Sequence, residues 1–145
     1  MIREMTEKDL DAVAAIEAEC IKQPWSRKSF AESLTKDYSL FLVEESEGKI
    51  WGYIGIYLIY EDTEITGIAV LPEKRRCGIG KKLLLSAAEC AVERSAQRIL
   101  LEVRESNEAA RAFYLELGFH EIGIRKNFYD FPQENAVLMQ LELKE

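Results

Sequence analysis

From Leu10 to Leu34 the apolar residues fall three or four positions apart, whereas from Ser39 to Leu71 they alternate or crowd together. The first pattern predicts helices. Thr6 and Asp9 form a capping-box-like start, and Leu10, Val13 and Ala14 follow at helical spacing, so residues 7–20 read as an amphipathic helix. After a Q-P-W-S break, Ser26 is placed to cap a shorter helix carrying Phe30 and Leu34 on one side. The second pattern predicts strands. S-L-F-L-V-E-E-S and I-W-G-Y-I-G-I-Y-L-I-Y flank a turn at Glu47, Gly48 and Lys49, which describes an antiparallel hairpin. T-E-I-T-G-I-A-V-L continues the sheet up to Pro72, with Gly67 as a candidate bulge.

Helical spacing returns at Leu83, Leu84, Ala87, Ala88 and Ala91, predicting a helix over 79–94, followed by the short buried strand R-I-L-L-E-V. Strand, helix and strand in that order imply a right-handed parallel crossover. Asn107 then caps a helix ended by Gly118, and F-H-E-I-G-I-R-K-N-F-Y and A-V-L-M-Q-L-E-L-K read as two final strands, the last reaching Lys144. The chain of 145 residues suits one domain, 1–145, of mixed α and β structure.

Composition narrows the classes. No run reaches the ~18 apolar residues a membrane helix needs, and charges interrupt the amino-terminal segment where a signal peptide would be apolar, so a cytoplasmic protein without a membrane partner is expected. Cys20, Cys77 and Cys90 lack the spacing of a disulfide framework or a zinc site, and no metal is expected. The formal net charge is −7, yet residues 74–82, K-R-R-C-G-I-G-K-K, hold five cations. Setting those aside makes the rest of the chain more negative by five, which argues against nucleic acid and for a small anionic ligand at one patch.

That patch lies between a strand and a helix, where unpaired amides and the positive end of the helix dipole make an anion site. Gly78 and Gly80 allow close approach of backbone nitrogens to phosphate oxygens. The nucleoside triphosphate loop is absent, because Lys82 follows Gly80-Lys81. The dinucleotide fingerprint keeps only two glycines, with Leu83 at the third position, although Glu102 lies where a ribose-binding acid would. A solvated helix start is the remaining reading.

Arg75-x-x-Gly78-x-Gly80, after an I-A-V strand and opening a helix, resembles the acetyl-coenzyme A loop of the GNAT acetyltransferase superfamily. The resemblance spans the chain and implies that superfamily's α/β fold: a mixed, mostly antiparallel sheet of six to seven strands flanked by about four helices. E-C-I-K-Q-P-W-S (19–26), L-L-E-V-R-E-S-N (100–107), A-F-Y-L-E-L-G-F (112–119), R-K-N-F-Y (125–129) and E-N-A-V-L-M (134–139) resemble, within it, the ribosomal-protein alanine N-acetyltransferases. Phe128 stands where that group often has tyrosine, and Asn135 where it often has aspartate.

The resemblance implies direct transfer from acetyl-CoA to an N-terminal peptide of a ribosomal protein, with no metal. Arg75, Arg76, Cys77, Gly78, Ile79, Gly80 and Lys81 would hold the diphosphate, and Asn107 would also contact the cofactor. Ile68, Ala69 and Val70 would offer backbone groups to the pantetheine arm, much as an added strand does. A peptide α-amino group has a pKa near ~8, so a base must take its proton. His120, the single histidine, reads as a packed or surface residue. Glu102, at the end of an apolar strand, is the expected base, with a pKa raised by the sheet interior, and Tyr114 the expected acid toward the departing thiolate. Cys77 offers a rival covalent route through a thiol in a cationic loop. Trp25 and Tyr129 would line the peptide groove, Trp25 alternatively stapling the first two helices together. Acetylation of a small amine and a non-catalytic acyl-CoA sensor are the competing functions.

Overall fold

The computed structural model describes residues 1–143. Its order is β1 (Ile2–Glu4), a 3-10 turn (Glu7–Asp9), α1 (Leu10–Cys20), α2 (Arg27–Leu34), β2 (Ser39–Ser46), β3 (Lys49–Ile59), β4 (Asp62–Val70), a second 3-10 turn (Pro72–Lys74), α3 (Ile79–Glu93), β5 (Arg98–Arg104), α4 (Glu108–Glu116), β6 (His120–Tyr129) and β7 (Glu134–Glu142). Seven strands form one sheet in the order β1-β2-β3-β4-β5-β7-β6, antiparallel except where β4 meets β5. The expected sheet and four helices are therefore present. The end of the last expected strand, Lys144, lies outside the described residues.

Local chemistry explains most boundaries. Thr6 donates its amide to Asp9 Oδ2 at 2.8 Å, so the expected capping box exists, but the first turn is 3-10 before α1 begins. Ser26 Oγ accepts from the Ser29 amide at 3.1 Å and starts α2. Glu47 and Gly48, with φ of 55° and 74°, make the tight turn between β2 and β3. Gly118 at φ 101° ends the segment after α4.

β1 is the one element the periodicity does not predict. Three residues are too few to show alternation, and it is held from outside: it pairs with β2 from Ile2↔Glu44 to Glu4↔Leu42, and the Met1 amine reaches Glu44 at 2.9 Å. Arg3 adds bonds to Glu45 at 2.9 Å and to both Asp9 oxygens at 2.8 and 2.9 Å.

The sheet divides two apolar layers, as alternation of side chains requires. Phe41, Val43 and Tyr53 face one way and pack with Val13, Ile16 and Phe30 of α1 and α2. Leu42, Ile54, Ile56, Ile99, Leu101 and Val103 face the other way and pack with Leu83 and Leu84 of α3 and Tyr114 of α4. Glu102 and Arg104 thus point to the α1 and α2 side. Those two helices lie over β2 to β4, so the far half of that face is left open.

One irregularity positions everything that follows. Pairing of β3 with β4 shifts between Gly55 and Ile56, so Thr66, beside the expected bulge residue Gly67, is an extra residue in β4. Parallel pairing of β4 with β5 covers only Asp62↔Arg98, Thr63↔Ile99 and Glu64↔Leu100, and then the strands part. The bulge is packed tightly: a side chain on Gly55 would overlap the Phe41 ring and lie 2.8 Å from Thr66 Oγ1. Gly55→Ala should therefore lower stability by about 1–3 kcal/mol through overpacking, read as a lower urea midpoint with an unchanged m-value.

The Arg3 hydrogen bond, ahead of the opposing effect of burial, holds the Asp9 carboxyl below its ordinary range. A lowered folded pKa adds stability that is full above the unfolded value, about pH 4, and is lost as pH falls through the folded value. Asp9→Asn should lower the urea midpoint at pH 7 and leave a smaller further loss on going to pH 3 than the wild type shows.

Candidate active site

Two features meet at the parting of β4 and β5. The first is the loop from Pro72 to the start of α3. Arg76 and Gly78 are left-handed, with φ of 65° and 81°, and alternation of such residues turns successive amides to one side. Among the described residues no protein group accepts from the amides of Arg76 through Lys81, whereas Lys74 and Arg75 donate to Leu71 and Pro72. Ile79 is buried and pins the first turn of α3, and Gly80 lies against the Phe113 ring. A cradle of unpartnered amides at a helix N-terminus fits a diphosphate.

The cations around it divide into two sets. The side chains of Arg76, Lys81 and Lys82 are exposed and make no hydrogen bond or ion pair with the described residues. Arg75 does otherwise: its Nε donates to the Val70 carbonyl at 3.1 Å, and Nη2 lies 3.4 Å from Cys20 Sγ. Arg75 therefore braces the end of β4, and the Val70 carbonyl is already engaged. Ile68 and Ala69 pair with Ile54 and Tyr53 of β3 along one edge of β4, the other edge facing the parting. Lys49 and Lys74 both stack on Trp51, at 4.4 and 4.9 Å from its ring centre, widening the basic margin.

The second feature is a set of side chains drawn from both sheet faces. Tyr114 rises from α4 between Phe113 and Phe119, with ring centres 5.3 and 5.4 Å away. Burial first, and then proximity to Tyr129, raise its hydroxyl pKa well above the ordinary tyrosine value. Tyr129 is raised by burial and next by the Glu102 carboxylate, Arg104 opposing. Tyr129 is thus within electrostatic reach of Glu102 and of Tyr114. Asn107 caps α4 through Oδ1, which accepts from the Ala110 amide at 3.1 Å.

Glu102 is not in the sheet interior that the sequence suggests. Leu101 and Val103 are buried beneath it, but its own side chain is 34% exposed and 3.7 Å from Arg125 Nε. The strand alternates, and Glu102 falls on the open face. His120 is exposed, in keeping with a surface role, and Cys77 sits in the loop, its thiol donating only to the Arg75 carbonyl at 3.7 Å. Trp25 is half-buried against Phe30 of α2 and Phe41 of β2, at 5.3 and 6.3 Å, so its ring joins α2 to the sheet. Phe128 is exposed, and Asn135 Oδ1 accepts from the Asn127 amide at 3.0 Å.

Sequence reasoning passed over Glu17, Tyr53, Arg104 and Arg125. Glu17 is buried in α1, where its oxygens accept from the Tyr53 hydroxyl and from the Trp25 amide at 3.1 Å. Its signal was available: Leu10, Val13 and Glu17 share one helical stripe, and a carboxylate on an apolar stripe needs buried partners. Tyr53 also explains Gly67, since a Cβ there would lie 2.5 Å from its hydroxyl oxygen.

A seven-stranded sheet that opens beside a glycine-containing loop and a helix start defines an acyltransferase framework, and the chain belongs to the GNAT family of acetyltransferases, whose sequence model, Acetyltransferase (GNAT) family, matches residues 10–119. Within that family it is similar to the ribosomal protein bS18-alanine N-acetyltransferase of Escherichia coli (strain K12), 34% identical over 137 residues covering 93% of this chain and 92% of the relative. A Bacillus subtilis (strain 168) protein provisionally given the same name is 39% identical over 145 residues, covering 99% of this chain and 96% of its own. The crystal structure of the Escherichia coli ribosomal-protein-S18-alanine N-acetyltransferase superposes with a TM-score of 0.92 at 32% identity, covering 100% of this chain and 94% of that one.

Proposed function

We propose that this acetyltransferase uses acetyl-CoA to acetylate the N-terminal alanine of a ribosomal protein, by direct transfer while both substrates are bound. The observation that carries the reading is the cradle of unpartnered amides at residues 76–81, beyond the end of β4 and at the start of α3; it is supported by Glu102 on the open face of β5 and by Tyr129, which feels the Glu102 carboxylate and is felt by Tyr114. The acceptor follows from the relatives, which are named for alanine of ribosomal protein bS18. A ribosomal acceptor supports a reaction in the cytoplasm, and no helix among the described residues is long and apolar enough to cross a membrane.

The Arg76–Lys81 amides hold the diphosphate, with Arg76 and Lys81 adding charge, while Arg75 keeps β4 in place beside them. Ile68 and Ala69 face the pantetheine arm. Acetyl-CoA supplies an activated acyl carbon and a thiolate leaving group. Glu102 takes the proton that the α-ammonium must lose, directly or through one water, and its exposure lets that proton return to solvent. The nitrogen–carbon bond forms as the carbon–sulfur bond breaks, and of the two protons the α-ammonium sheds on becoming an amide, one leaves through Glu102 and the other makes good the proton that the departing sulfur takes up. Tyr114, kept protonated by burial, donates to the departing sulfur. Its raised pKa favours a hydrogen bond that strengthens as the sulfur becomes negative over proton transfer in advance of bond breaking. Tyr129 and the partly exposed rim of Trp25 border the incoming peptide. Cys77, at the diphosphate end, has no part in the transfer.

Glu102→Gln should lower kcat by about 10²–10⁴-fold on an alanine-initiated peptide while coenzyme A affinity in calorimetry stays unchanged. Undiminished turnover would remove Glu102 as the base. Gly78→Ala should weaken coenzyme A about tenfold or more by spoiling charge-assisted amide contacts, each worth roughly 1.5–3 kcal/mol. The fold should survive, because the new Cβ meets no atom within 4 Å and adds only the ~1–2 kcal/mol strain of a left-handed residue. Equal affinity for both proteins, with the fold intact, would count against the loop.

A further inference from the structure

Arg104 lies two residues beyond Glu102 on the same open face, and its guanidinium gathers groups from two separate segments. Nη1 donates to the Pro132 carbonyl at 3.0 Å and to Glu134 Oε1 at 3.1 Å. Nη2 donates to the Asp130 carbonyl at 2.9 Å and to Gln23 Oε1 at 3.4 Å. The guanidinium carbon sits 4.5 Å above the Tyr129 ring. Its counter-ion is equally enclosed: the Arg104 and Glu134 side chains are 12% and 13% exposed, and the second Glu134 oxygen accepts from the Ser106 amide. The Ser106 side chain first, then its amide, and after them Arg104, hold Glu134 below the ordinary carboxylate range, so the pair stays charged.

Four of the five guanidinium N–H donors are thus committed to the protein itself. A residue so engaged has little left to offer a ligand. What it holds is informative: Tyr129 and the turn from Asp130 to Glu134 on one side, and the connection between α1 and α2 on the other. We propose that Arg104 is a positioning residue for the acceptor, fixing Tyr129 and the turn at 130–134 as one wall of the peptide cleft and tying it through Gln23 to the opposite wall. This rests on the acceptor reading given above. Lysine cannot replace it, since a point charge neither lies flat on Tyr129 nor reaches two carbonyls and a carboxylate together.

The test measures Arg104→Lys and Gln23→Ala beside the wild type, with an alanine-initiated peptide, coenzyme A calorimetry and amide hydrogen exchange. In Arg104→Lys the peptide KM should rise about tenfold or more while kcat stays within about threefold, the split expected when binding geometry rather than chemistry is lost. Coenzyme A affinity should not move, and faster exchange should be confined to residues 127–135. Gln23→Ala, an exposed change that leaves the turn intact, should raise KM by about two- to threefold with unchanged exchange. An unchanged peptide KM in Arg104→Lys, or KM and coenzyme A affinity worsening together, overturns the positioning role. A wild type that binds coenzyme A but turns over no alanine-initiated peptide defeats the acceptor assignment instead. The exchange result then decides the clamp alone: loss of protection confined to 127–135 upholds it, and unaltered protection overturns it.

Discussion

β4 and β5 share three residue pairs and then separate, and the site depends on that early end to their pairing. A sheet paired along its full length would keep its two faces apart. Here the extra residue at Thr66 bends β4 away just beyond the last pair, and the gap that opens is bordered by side chains of both layers. Tyr114 belongs to the α3 and α4 layer, yet its charge environment includes Tyr129. Tyr53, from the α1 and α2 layer, is influenced by Tyr114 as well. The parting is itself supported from below. Phe41 fills the space beside Gly55, and the Tyr53 hydroxyl, anchored on Glu17, fills the space beside Gly67. Neither glycine can take a side chain without displacing an aromatic residue that belongs to the core.

What the sequence made legible follows from interactions that are local. The β2–β3 turn, the Ser26 and Asn107 caps, the α3 stripe and the glycine loop each rest on residues within a few positions of one another, and each is present. What it left hidden depends on partners distant along the chain. β1 exists because Met1 and Arg3 find Glu44, Glu45 and Asp9. The short parallel ladder has no local signature, since the residues of β4 that pair with β5, Asp62, Thr63 and Glu64, are less β-branched than Ile65 to Val70, which do not. Alternation along R-I-L-L-E-V-R correctly marks Leu101 and Val103 as buried. It also says that Glu102 and Arg104 point the other way, but not whether a helix covers them there. The expected desolvated glutamate came from assuming a covered face, and α1 and α2 stop short of β5.

Charge is organised in the same two-part way. The acidic body and the basic loop do not neutralise each other. Arg76, Lys81 and Lys82 stay clear of the described carboxylates, whereas Arg3, Arg98, Arg104 and Arg111 are each bonded to one. An ion pair across the loop would compete with any anion for the same amides and cations. Arg75 marks the boundary, since it belongs to the loop by sequence but spends its Nε on the Val70 carbonyl. In this arrangement β4, proposed to lie beside the pantetheine arm, and the loop proposed to hold the diphosphate are linked by one side chain. Their relative position is thereby set before any ligand arrives, which reduces the ordering cost of binding.

The exposure of Glu102 bears on how such a site can turn over. A base buried deep enough to have its basicity raised by desolvation must also export its proton through a sealed interior. Glu102 takes the other solution. It stands on an open face beside Arg125, 3.7 Å away, and near the edge of the aromatic wall that Arg104 holds in place. As the proposed base, Glu102 would give up its proton to solvent once the peptide has left, and the peptide itself would cover the carboxylate while the amine is bound. Dehydration of the base would then be supplied by the acceptor rather than by the fold. On the proposed reading that division fits the bonding pattern, with four hydrogen bonds at Arg104 and one ion pair at Glu102: a wall that seats a peptide needs fixed geometry, whereas a base that exchanges protons with water needs access.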